Sequence, residues 1–89
     1  MKVARPWLRA QFVLPARASW RVELRKRVQG PARAAAFRLV ASRSGGPVAG
    51  RRNARVRIPA RTVPGRYQVR VLMSSALGLG TTARTITIP

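Results

Sequence analysis

The chain has 89 residues, with seventeen Arg and two Lys against a single acid, Glu23, for a formal net charge of +18, and no His or Cys. That inventory excludes disulfide frameworks, zinc ribbons and thiol nucleophiles, and leaves no means of assembling paired carboxylates, a metal-ligand cluster or a Ser-His-Asp triad. A chain this short buries only roughly 60–65% of its unfolded surface, so one domain spanning residues 1–89 is expected, with no catalytic role, metal or cofactor.

The elements are short and alternate with period two. Leu8, Ala10, Phe12 and Leu14 form the first predicted strand, which Pro15 is expected to end. Trp20, Val22 and Leu24 form the second, with Arg21, Glu23 and Arg25 on its opposite face. Gln29-Gly30-Pro31 signals a turn, and residues 31–36 could make one helical turn on the way into the third strand. In that strand Phe37 and Leu39 are expected inward, with Arg38 and Val40 outward. Ser44-Gly45-Gly46-Pro47 and Gly50-Arg51-Arg52-Asn53 read as two further loops. Val56 and Ile58 then alternate with Arg55 and Arg57. Tyr67, Val69, Val71 and Met73 form the longest alternation, against Arg66, Gln68 and Arg70, and Ile86 with Ile88 forms the last strand. An all-β domain of about six to seven short antiparallel strands follows, as a sandwich or small barrel. No apolar run approaches the ~20 residues needed to span a bilayer. Residues 1–18 are Arg-rich but bracketed by Pro6 and Pro15, which favours a strand over a transit helix. Cytoplasmic synthesis is expected, with a virion or other large particle as a possible destination.

Three stretches carry a family resemblance: Val56-Arg57-Ile58-Pro59, Val63-Pro64-Gly65-Arg66-Tyr67-Gln68-Val69-Arg70-Val71 and Thr85-Ile86-Thr87-Ile88-Pro89. Residues 55–88 thereby resemble the C-terminal half of immunoglobulin-like and fibronectin-III-like β-sandwiches. The resemblance implies that Tyr67 opens a strand as a tyrosine corner, its hydroxyl bonding back to nearby backbone. It also implies that the strands carrying Arg21, Arg25, Arg55, Arg57 and Arg9 share a sheet, with Arg38, Arg66 and Arg70 on the other. The chain departs from antibody domains in lacking a Cys pair and in placing Trp20 on the second strand. The alternative architecture is a five-stranded barrel of the OB or SH3-like kind.

On either architecture the inward faces are apolar and the outward faces are coated with guanidinium. Such a charge opposes the compact state by self-repulsion, and a polyanion would relieve it. The candidate polyanion-binding residues are Arg9, Arg21, Arg25, Arg51, Arg52, Arg55, Arg57, Arg66 and Arg70. Val40 and Leu72, both expected outward, form a candidate apolar docking patch. The terminal strand, residues 82–89, could pair edge to edge with a neighbour or a second copy, although Arg84 and Pro89 would blunt it. With no helix to enter a major groove, and Phe12, Trp20, Phe37 and Tyr67 expected inward, sequence-specific or base-stacking recognition is not expected. The expected function is a structural module docking on an anionic macromolecular assembly, such as a virion decoration or accessory protein. The alternative is sequence-independent binding of RNA or DNA, including association with a ribosome. No small-molecule substrate is expected.

Overall fold

The computed structural model describes residues 1–29 and 35–89. They form five antiparallel strands: β1 (Lys2–Ala4), β2 (Trp7–Gln29), β3 (Ala35–Arg57), β4 (Gly65–Ser75) and β5 (Gly78–Ile88). The order is β1-β2-β4-β5, with β3 also paired to β2. The chain is therefore all-β, but its strands are fewer and longer than the expected six or seven. Among the described residues no helix is long and apolar enough to cross a membrane. The Gly30-Pro31 turn and the start of the helical reading at 31–36 lie outside the described residues, while Ala35 and Ala36 already belong to β3.

Pro15 does not end a strand, and the two Gly-rich segments do not reverse the chain. All three lie inside the β2–β3 ribbon, where they bend it. A straight strand of 23 residues would reach roughly 75 Å at ~3.3 Å per residue. The molecule measures only 36 × 32 × 15 Å, so the ribbon must fold over. It does so where the register slips, between Leu14 and Ala18 and again between Ala18 and Trp20. Pro15 and Pro47 donate no ladder hydrogen bond there, and Gly46 adopts φ +99°. Proline and glycine are tolerated at such bulges and not in a regular ladder. Gly45 permits a second feature: a Cβ at that position would lie 2.7 Å from the Trp20 ring, so the indole lies directly against the backbone.

Folding over brings the two halves of the ribbon together on one core. Leu8 and Ala10 of early β2, with Ala54 and Val56 of late β3, join Val22 and Leu24 of late β2, Tyr67, Val69 and Val71 of β4, and Ile88 of β5. Ile58, just beyond β3, completes the cluster and donates its amide to the Pro6 carbonyl at 2.7 Å. Each fully buried Leu, Ile or Val contributes about 1.5–3 kcal/mol on leaving water. The result is one curled antiparallel sheet with an apolar inside.

Two expectations about facing are corrected. A register shift between Leu24 and Arg25 pairs Leu24 with Ala41 but Arg25 with Leu39, which leaves Val40 as the extra residue of a bulge. The bulge inverts the alternation below it. Val40 packs against the core, whereas Leu39 is 48% exposed and Phe37 sits on the outer face with Arg25. The division of strands also differs. Residues 18–25 pair with β4, so Arg25 lies opposite Gln68, Glu23 opposite Arg70 and Arg21 opposite Leu72. Arg9 instead pairs with Arg55 in the other half of the ribbon.

Candidate polyanion-binding surface

The outer face of the first half is built by β1, early β2 and late β3. Cross-strand pairing aligns Lys2 with Arg9 and Arg9 with Arg55, so three cations form one row across three strands. Side chains directly opposite in an antiparallel pair stand about 4.5–5.5 Å apart at Cβ, where like charges destabilise the sheet. The next row holds Ala4, Trp7 and Arg57. Trp7 is half-buried and takes two guanidiniums from β3: the Cζ atoms of Arg55 and Arg57 lie 4.9 and 5.9 Å from its ring centroid. A ring quadrupole offsets part of the repulsion by attracting the cations to its face. Gln11 opposite Asn53 and Val13 opposite Arg51 continue this face toward the bend.

The second outer face, on late β2 and β4, is arranged differently because Glu23 lies on it. Glu23 is only 8% exposed and accepts from Arg21 Nε at 3.1 Å and from Arg70 Nε at 2.7 Å. Arg21 and Arg70, both candidate polyanion ligands, are therefore already paired with the chain's only carboxylate. Arg25 lies with its Cζ 4.2 Å from the Phe37 centroid. Arg66 borders a cleft of about 350 Å³ with Arg27, Phe37, Gln68 and Thr85.

The nine candidate arginines thus divide. Arg9, Arg51, Arg55 and Arg57 share the first face, Arg21, Arg25, Arg66 and Arg70 lie in the second half, and Arg52 belongs to neither group. Arg52 pairs across from Phe12, is partly buried and donates Nη2 to the Ala49 carbonyl at 3.3 Å. Lys2 and Arg27, outside the nine candidates, also belong to these faces, Lys2 beside Arg9 and Arg27 at the cleft with Arg66. Lys2 alternates with Val3 as Arg9 does with Leu8, so its outward position was legible, whereas its alignment with Arg9 depends on register.

The proposed apolar pair is separated. Val40 is turned to the core, while Leu72 is half-buried on the outer face, in a cleft of about 260 Å³ with Trp20, Met73, Leu79 and Thr81. Of the four aromatics expected inward, Tyr67 is buried, and Phe12 and Trp20 pack on the core's margin with rings 5.3 Å apart. Phe37 is the one on the outside.

Comparison with protein-family models, curated proteins and solved structures finds no match to this chain.

Proposed function

We propose that this chain is a non-catalytic module that docks its arginine face on the anionic surface of a macromolecular assembly, as a virion decoration or accessory protein does. One observation carries the reading. The Lys2–Arg9–Arg55 row, extended by Arg57, has no carboxylate beside it, because the chain's only acid is held by Arg21 and Arg70 on another face. Among the described residues these charges have no anionic partner, the Trp7 ring beside Arg55 and Arg57 offsetting only part of their repulsion, and an external anion relieves the rest while releasing counterions. Bidentate guanidinium forks suit carboxylate as well as phosphate.

The architecture we favour is a half-barrel of the small OB or SH3-like kind, since one continuous ribbon serves both halves of the curled sheet. The immunoglobulin-like alternative draws its support from Tyr67, whose hydroxyl donates to the Val63 carbonyl at 2.5 Å as a tyrosine corner would.

A second reading, sequence-independent nucleic-acid binding, is favoured by Trp7, a half-buried ring flanked by cations. We rank it second because Arg55 and Arg57 already lie on that ring and would have to be displaced by a stacked base. Binding to polyglutamate and to random single-stranded DNA, measured from about 50 to about 300 mM salt, tests both. Three charge contacts on single-stranded DNA correspond to about a fortyfold loss of affinity over that range. Arg55→Glu with Arg57→Glu is expected to weaken polyglutamate binding at least tenfold without unfolding the chain. Salt-independent binding would overturn the polyanion reading, and sub-micromolar DNA binding at physiological salt alongside weak polyglutamate binding would put the second reading first.

A further inference from the structure

In a chain where cations recur throughout, residues 71–83 carry no charge at all. The structure places this uncharged stretch in the β4–β5 hairpin. Among the described residues β5 pairs only with β4, which leaves its other edge free of them. From Gly78 to Thr85 every β5 residue is exposed, on both faces. Leu77 and Leu79, at and beside the hairpin turn, are 87% and 86% exposed. The contrast with β3, which among the described residues also pairs on one side only, is direct: β3 carries Arg38, Arg43, Arg51, Arg52, Arg55 and Arg57. Charged side chains are a recognised protection against edge-to-edge pairing. β3 has that protection, and β5 lacks it from Gly78 to Ala83.

We infer that β5 is a self-association edge, pairing antiparallel with β5 of a second copy of this chain about a two-fold axis at Thr81. Charge selects the occupant's mode of approach. Two chains of +18 can meet closely only where neither presents cations, and this hairpin is the longest such stretch. A two-fold axis perpendicular to a continuous sheet keeps each residue on its own face, so the register must set residues of like parity opposite each other. With Thr81 on the axis, Gly80 faces Thr82 of the second copy, Leu79 faces Ala83, and Gly78 faces Arg84. Every residue of the pairing span then lies within β5. The two Arg84 side chains start about 20 Å apart, at ~3.4 Å per residue, which is beyond the screening length of ~8–10 Å at physiological salt. Leu79, exposed in one chain, is covered by the neighbouring strand.

This inference does not rest on polyanion binding, and salt separates the two. Polyanion binding weakens as salt rises. Self-association of like-charged copies strengthens, because screening removes repulsion between the bodies while the uncharged edge is unaffected. Analytical ultracentrifugation of the full chain is expected to show the 9.8 kDa species giving way to twice that mass as salt rises. The chain has no Cys, so single cysteines report on the register. Opposed Cα atoms about 4.5–5.5 Å apart fall within disulfide range. Thr81→Cys is therefore expected to give a disulfide-linked dimer under mild oxidation, whereas Thr87→Cys, six residues from the axis, is not. Thr81→Lys, an exposed position whose folding is checked by circular dichroism, is expected to hold the chain monomeric. A wild-type chain that stays monomeric up to millimolar concentration in high salt, equal cross-linking at the two cysteines, or a folded Thr81→Lys dimer would each overturn the inference.

Discussion

Glu23 governs two arginines that the sequence alone leaves free. Its carboxylate is nearly buried and satisfied from both sides, so Glu23→Gln removes the acceptor for two guanidiniums and leaves them in a field of like charge. Breaking one partner of such a pair costs about 1–3 kcal/mol. For a small domain this is expected to lower the urea midpoint by about 1–2 M. Tyr67→Phe is a milder test at the same scale. It removes the hydrogen bond to Val63 while keeping the buried ring, for a loss of about 1 kcal/mol measured the same way. Val69 is fully buried between the two halves, and Val69→Asp is expected to abolish the cooperative unfolding transition, because an unpaired buried charge takes several kcal/mol from a total of ~5–9.

At the scale of the element, the bend in the β2–β3 ribbon carries the fold. Gly46 combines φ +99° with a site where a Cβ would lie 2.6 Å from the Ala18 carbonyl oxygen. Gly50, at φ +89°, has open space around it. Gly46→Ala is therefore expected to destabilise the chain by about 2–4 kcal/mol, from clash and strain together, and Gly50→Ala by about 1 kcal/mol from strain alone. Equal effects in thermal melts would contradict this account of the bend. The period-two pattern made the strand segments legible, and it oriented Leu8, Val22, Leu24, Val56, Tyr67, Val69 and Val71 correctly. The pattern could not tell a bend from a reversal at Ser44-Gly45-Gly46-Pro47. Glycine and proline mark where a ladder is interrupted, whichever way the chain then runs. Nor could it locate the bulge at Val40, because one extra residue in a strand is defined only against its partner, and that inverted the facing of Phe37 and Leu39.

Over the whole molecule, nineteen cations against one acid make repulsion a global quantity. Each exposed pair is worth only a few tenths of a kcal/mol and is screened by salt. Summed, their screening is expected to raise the thermal midpoint by several degrees between about 50 and about 300 mM salt, as calorimetry at constant pH would show. A flat midpoint would mean that the rows at Arg9, Arg55 and Arg57 cost the fold nothing. Composition and alternation by themselves determined the all-β character, the apolar interior and the cationic exterior, because within an unbroken stretch of strand the alternation of faces is a local property of period two. The tertiary structure alone decided that late β2 joins β4, that Glu23 meets Arg70, that Lys2, Arg9 and Arg55 form one row, and that the uncharged hairpin ends in an open edge. Those outcomes depend on which distant segments share hydrogen bonds, and that choice is made when the ribbon folds over to close its core.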